Sequence, residues 1–257
     1  MITPINDLFR LTGRTALVTG GSSGIGRTIA HTLGHAGAAV VIVARRTEQL
    51  TRTLDELHDQ AINAAAISAD LADPADITRI RDQAPTLFGD IDILVNNAGN
   101  NIRHPMAELT DDDYHQTMAV NITAPYLLGQ HFGPRMAQRG WGRIINLGSQ
   151  QSHKAFGDSG AYGISKAAIT GLTRSQAEAW SPHGVCANTI IPGFVLTPLT
   201  EPAQAIPGRV EALAARSMIG RNATPADFAG LTLLLASDAG AYITGQAICV
   251  DGGFSVH

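Results

Sequence analysis

Lysine is nearly missing from this chain of 257 residues: there are two, Lys154 and Lys166, against sixteen arginines. Cysteine is as scarce. Cys186 and Cys249 lie far apart inside apolar runs, which argues against a disulfide or a metal site and predicts two small core residues. Charged residues make up 16% and hydrophobic ones 44%, the balance of a soluble globular domain. No apolar run reaches about 18 residues, so none is read as spanning a bilayer. The first ten residues, Met1 to Arg10, lack a basic start followed by an apolar stretch, so no signal peptide is expected. Without export, Asn121-Ile-Thr and Asn222-Ala-Thr carry no glycan, and the expected location is a reducing cytoplasm. A net charge of −4 gives no footprint for nucleic acid or an acidic membrane. Repeats, low-complexity tracts and linkers are missing too, so residues 1–257 read as one domain, long enough to bury a full core.

What is present is a series of short β-branched or small apolar runs: 15–19, 39–43, 64–69, 91–96, 143–147, 186–191 and 247–250. They are continuous rather than alternating, the mark of strands buried on both faces. Between them lie stretches of helical periodicity, such as 26–36 and 48–60. Strand–helix alternation of this kind predicts a doubly wound, three-layer α/β sandwich of the Rossmann type, around a mostly or wholly parallel sheet of about seven strands. The irregular stretch from Pro192 to Gly208 holds four prolines. A loop that long in a compact domain is usually functional, and residues 196–216 are read as a substrate lid.

The first strand runs into a glycine-rich turn, with Gly20, Ser22, Ser23, Gly24, Ile25 and Gly26 opening the first long helix. Such a turn lets backbone approach a pyrophosphate, and the helix N-terminus supplies amide donors and a positive dipole. The second strand ends in Ala44-Arg45-Arg46, where an NAD site usually places a carboxylate. A guanidinium binds phosphate bidentately, so NADP(H) is favoured over NAD(H). The alternative is that Arg45 and Arg46 merely form a solvated loop, and Ser23 is a mild counter-signal, since a base there would strengthen the case. Asp70 and Leu71 close the third strand, where a carboxylate can accept from an adenine amino group. Asn97, Ala98 and Gly99 follow the fourth, where small residues let the chain pass a ribose. Both lie at carboxyl ends of strands, where ligands bind in open α/β sheets, though each also suits an ordinary turn.

Tyr162 and Lys166 are four apart, on one face of a predicted helix, with Ser149 thirteen residues upstream of the tyrosine. A phenol titrates near pH ~10. A fixed cation beside it favours phenolate, so the pair plus a hydroxyl makes a proton-transfer device for an alcohol or carbonyl.

Together these motifs resemble the short-chain dehydrogenase/reductase family of the compact, single-domain type. The glycine-rich loop, Asn96-Asn-Ala-Gly99, Asn121, Ser149, Tyr162 with Lys166, and Pro192-Gly193 occur in family order and spacing from Leu11 to Phe254. The resemblance implies that Tyr162 is the general acid in reduction and the general base in oxidation. It implies that Ser149 orients the reacting oxygen, and that Lys166 lowers the Tyr162 pKa and holds the nicotinamide ribose. Asn121 would anchor a water linking Lys166 to solvent, and Pro192, Gly193, Val195 and Thr197 would meet the nicotinamide carboxamide. Assembly as a homotetramer or homodimer is also implied.

Residues 97–105 and Ser149-Gln-Gln-Ser152 further resemble the gluconate 5-dehydrogenase and 2-deoxygluconate dehydrogenase branch. A cation at the cleft mouth suits a substrate carboxylate, which nominates Arg103. Gln151, Ser149 and Tyr162 are the other expected substrate contacts, and Arg103 can equally be a surface arginine. The reaction expected is hydride transfer with a small secondary alcohol or ketone, a sugar acid or polyol. Alternatives are a 3-oxoacyl or other small-ketone reductase, a nucleotide-sensing protein without turnover, and a sugar-nucleotide epimerase. The sensor needs no Ser149, Tyr162 and Lys166, and the epimerase lacks room for its substrate domain after Lys166.

Overall fold

Seven parallel strands in the order β3-β2-β1-β4-β5-β6-β7 form the centre of the computed structural model, which describes residues 4–257. They are β1 (Thr15–Thr19), β2 (Ala39–Ala44), β3 (Ala64–Ser68), β4 (Ile93–Asn96), β5 (Gly142–Leu147), β6 (Val185–Pro192) and β7 (Ala247–Val250). A single turn, α1 (Ile5–Leu8), precedes them. The longer helices are α2 (Gly24–His35), α3 (Thr47–Asp59), α4 (Pro74–Phe88), α5 (Asp111–Met118), α6 (Ala124–Arg139) and α7 (Gly160–Trp180). After β6 come α8 (Glu201–Gln204), α9 (Arg209–Ala215) and α10 (Ala229–Ala236). No helix among the described residues is long and apolar enough to cross a membrane.

The continuous apolar runs are explained by two cores, one on each face of the sheet. Ala16, Val18, Val40 and Ile42 point to one side, against Ile29 and Leu33 of α2 and Leu235 of α10. Leu17, Val41 and Val43 point to the other, against Ile77 and Ile80 of α4 and Leu128 and Phe132 of α6. Side chains alternate across a strand, so only an unbroken apolar run satisfies both faces.

One strand departs from expectation. β7 lies at the sheet edge with alternating exposure, and Cys249 is exposed rather than in the core, while Cys186 on β6 is buried. An apolar run predicts a strand without telling an edge from a centre. A 3-10 turn at Pro225–Phe228 leads directly into α10 at Ala229.

The strand order reverses between β1 and β4. Chains leaving the two strands part in opposite directions there, opening a crevice at their carboxyl ends. Every motif singled out above sits at that edge of the sheet.

Candidate active site

The loop after β1 is built for close approach. Gly24 opens α2 at φ +52°, in the left-handed region. A Cβ on Gly26 would collide with the Gly20 carbonyl and the Asn97 amide. The N-cap of α2, Ser23, makes no capping bond through its side chain, unlike Asp73 at α4 and Thr110 at α5. First-turn amides of α2 therefore remain as donors beside the crevice. Asn97 Nδ2 donates to Thr19 O at 3.0 Å and Gly20 O at 3.2 Å, and Asn96 Nδ2 donates to Asn146 Oδ1 at 2.8 Å. The asparagines tie neighbouring strand ends together.

A cleft of about 560 Å³ lies here. Gly20, Ser22, Ser23, Gly24 and Ile25 form one wall, Arg45, Arg46, Asp70 and Leu71 a second, and Asn97, Ala98, Gly99 and Thr197 the rest. Arg45, exposed, and Asp70, half-buried, meet at 3.4 Å. Asp70 Oδ1 also accepts from Ala72 N at 3.0 Å. Val195 is buried and bridged in parallel to Ala223. Pro192 ends β6, and Gly193 N donates to Val250 O at 3.0 Å. Asn100, Asn101 and Ile102 also line the cleft, and their place directly after the Asn96–Gly99 motif was the available signal.

Ser149, Tyr162 and Lys166 converge beyond the end of β5. Ser149 is extended and caps the 3-10 turn Gln150–Ser152, accepting from Gln151 N at 3.2 Å. Ser152 Oγ donates to Lys166 O at 2.5 Å, fastening that turn to the first turns of α7. Tyr162 and Lys166 are 7% and 5% exposed, and the ammonium stands 5.7 Å from the phenol ring centroid.

Burial dominates the electrostatics of Tyr162 and Lys166. Burial pushes the Tyr162 phenol above its ordinary value, opposed by a hydrogen bond with Ser149 and by the charge of Arg103. Lys166 Nζ instead donates to Leu147 O at 2.7 Å, and burial lowers its own pKa to about 8. A buried ammonium takes the nearest strong acceptor, here a strand-end carbonyl, rather than the ring.

Arg103 is half-buried and donates to Gly157 O at 2.7 Å, tying the segment after β4 to the one leading into α7. Gln151 is half-buried with Oε1 unpartnered, and Gln150 Nε2, Asn100 Oδ1 and Asn101 Oδ1 are likewise buried without partners. Asn121 lies in a π-helical turn, Ala119–Thr123, between α5 and α6. Its Nδ2 donates to Asn100 O (3.1 Å) and Ser165 Oγ (2.9 Å), while Oδ1 accepts from Asn100 N at 2.9 Å. The side chain thus bridges backbone and α7.

A family model described as enoyl-(acyl carrier protein) reductase matches residues 20–255. The D-threitol dehydrogenase of Mycolicibacterium smegmatis is 37% identical over 248 residues, 96% of this chain and 95% of that one. The gluconate 5-dehydrogenase of Gluconobacter oxydans is 34% identical, covering 97% and 98%. Among solved structures, the gluconate 5-dehydrogenase of Burkholderia cenocepacia J2315, in complex with NADP and tartrate, is 35% identical with a TM-score of 0.93, covering 99% and 100%.

Proposed function

The chain belongs to the short-chain dehydrogenase/reductase family, and from that premise we propose that it is an NADP(H)-preferring oxidoreductase of polyols or sugar acids. The observation that carries this reading is the convergence of Ser149, Tyr162 and Lys166 beside the cleft, where a Cβ on Gly99 of the cleft wall would lie 3.7 Å from Lys166 Nζ. The cleft fits such a cofactor: an uncapped helix N-terminus for the pyrophosphate, a glycine with no room for a Cβ, and guanidinium groups where a 2′-phosphate would lie. When bound, the nicotinamide supplies the hydride.

The protein's part is protonic and positional. Tyr162 Oη gives a proton to the carbonyl oxygen in reduction and takes one from the hydroxyl in oxidation. Ser149 Oγ holds that oxygen within reach of the phenol. Lys166 and Tyr162 hold the nicotinamide ribose, Asp70 and Leu71 the adenine, and Pro192, Gly193 and Thr197 the carboxamide. The lid over 196–216 excludes water. Asn121 keeps the turn carrying Asn100 in register with Ser165 on α7.

For the substrate class, the support is the pair of orphaned amide oxygens on Asn100 and Asn101, both in the cleft lining. Buried polar atoms without partners cost free energy unless a ligand meets them, and a chain of hydroxyls would. Arg103 would take a carboxylate. An oxoacyl chain would leave these amides unmet, and a sensor would have no use for the buried Tyr162. The relatives act on threitol and gluconate by name, and tartrate in the solved neighbour is itself a hydroxy acid. The assembly is read as a cytoplasmic homotetramer, with the exposed β7 edge as a contact; light scattering on the purified protein tests it.

The deciding experiment follows nicotinamide absorbance with NADP⁺ and NAD⁺ against tetritols, hexitols, gluconate-type acids and apolar secondary alcohols. Turnover of the hydroxylated compounds with NADP⁺ is expected. Activity confined to the apolar alcohols overturns the substrate class, and none with any compound overturns the enzyme.

A further inference from the structure

Beyond β7 the backbone reverses at Asp251-Gly252-Gly253, with φ of +62° and +82° at the two glycines. The Asp251 carboxylate accepts from Gly253 N at 3.0 Å and from Ser255 N at 2.9 Å, which fixes the turn. The turn is packed on the segment following α9. Ser217 Oγ donates to Gly252 O at 2.9 Å, and Ile219 N donates to the same carbonyl at 3.2 Å. A Cβ on Gly253 would come within 2.7 Å of Met218 Sδ, so the fit leaves no slack.

This reversal turns Phe254 inward, where it is 2% exposed. Its ring stacks on Phe156, with centroids 6.1 Å apart and planes inclined at 26°. On the same ring lies the Arg216 guanidinium, 4.3 Å from the centroid. Phe156 belongs to the segment between Ser149 and Tyr162, and Arg103 grips the next residue through Gly157 O. Arg216 closes α9, the last helix of the lid. A single C-terminal ring therefore joins the substrate-side wall to the lid, two elements otherwise far apart in the chain.

We propose that Phe254 is a positioning residue for substrate: it clamps residues 153–159 and the lid helix α9 into one surface, setting the pocket that the substrate's far end meets. This rests on the cleft being a dehydrogenase/reductase site, and not on which alcohol it takes. The ring meets Phe156 and Arg216, so its removal should weaken substrate binding and leave the chemistry intact.

The test compares the full chain with Phe254→Ala, Phe254→Tyr and Phe156→Ala, using whichever alcohol turns over best. For Phe254→Ala, KM should rise about tenfold with kcat held within about threefold, the pattern of lost uniform binding. NADPH affinity, read by fluorescence, should be unchanged, and Phe254→Tyr should restore KM. Phe156→Ala should reproduce the effect without adding to it in the double variant, since both remove one contact. Hydrogen exchange supplies a readout independent of turnover: amides at 153–159 and 209–216 should exchange faster in Phe254→Ala, with 20–26 unchanged. Unchanged KM with lower thermal stability and uniformly faster exchange would make the ring a general core residue and overturn the clamp. If no compound turns over, the proposed function fails, and the exchange pattern alone upholds or overturns the clamp.

Discussion

Lys166 and Tyr162 stand one turn apart on α7, the ammonium 5.7 Å from the phenol centroid and its proton turned to Leu147 O at 2.7 Å. Both groups are buried, and burial moves each toward neutrality: the phenol up, the lysine down to about 8. A neutral phenol donates a proton to a carbonyl oxygen; a phenolate accepts one from an alcohol. Reduction should therefore hold level through neutral pH and fall only in alkali, while oxidation climbs as pH rises toward the raised phenol pKa. Rates in both directions at saturating cofactor, between about pH 6 and about pH 10, check this. A level oxidation profile would remove Tyr162 from the base role.

Replacing Tyr162 by Phe keeps the ring against its neighbours and deletes only Oη. The expected loss in kcat is roughly 10²–10⁴-fold, with NADPH affinity little changed because the ring and the glycine-rich loop persist. Single-turnover absorbance and fluorescence titration on the same preparation separate the two effects.

Much of the fold was readable because strands buried on both faces leave no polar interruptions. All seven runs fell within two residues of the observed strands at either end. The glycine-rich loop was equally legible, since few backbone paths need a Cβ-free residue where Gly26 lies against Gly20 O. Exposure was harder: Cys249 sits in an apolar run, yet its strand is at the edge. Least legible were pairings between distant residues. Nothing local to Arg103 announces Gly157 O, nor anything local to Phe254 the ring of Phe156. The Tyr162–Lys166 spacing says which face the two groups share, not that Lys166 Nζ finds Leu147 O.

Burial raises the Tyr162 pKa, and the charge of Arg103 opposes that rise alongside the hydrogen bond with Ser149. Arg103→Met should move the alkaline limb of the oxidation profile to higher pH, because phenolate loses its stabilising cation. The same change should raise KM for an acid substrate roughly tenfold or more, while KM for an uncharged polyol moves less. Comparing gluconate-type acids with tetritols in this variant reads both effects. Equal changes in KM for the two would show that Arg103 holds the wall through Gly157 rather than a carboxylate.

Arg45 is exposed and shares its charge with Asp70 at 3.4 Å. A 2′-phosphate offers a doubly charged, bidentate alternative to that carboxylate. Arg45→Asp should invert the preference, raising KM for NADP⁺ while that for NAD⁺ falls or holds, because a carboxylate repels phosphate and accepts from a ribose hydroxyl. The ratio of kcat/KM for the two cofactors is the measurement. An unchanged ratio would assign the phosphate to Arg46 or to the backbone.

Lys166→Met tests whether the site is kept at a cost to stability. The folded-state pKa is about 8, against 10.5 for the unconstrained side chain. Below about pH 8 the lysine is protonated in both folded and unfolded chains, and its burial destabilises the fold by an amount on the order of 3 kcal/mol. Between about 8 and 10.5 the unfolded chain binds more protons than the folded one, so stability rises with pH and the penalty fades. Methionine keeps much of the bulk with no charge. It gives up the bond to Leu147 O, a loss of about 1 kcal/mol. The variant should thus be inactive yet melt several degrees higher than the parent at pH 7, with the advantage shrinking by about pH 10. Melting curves of both proteins at the two pH values decide it. A variant less stable at pH 7 would mean that the Lys166–Leu147 bond outweighs desolvation, and that this lysine supports the fold as well as the chemistry.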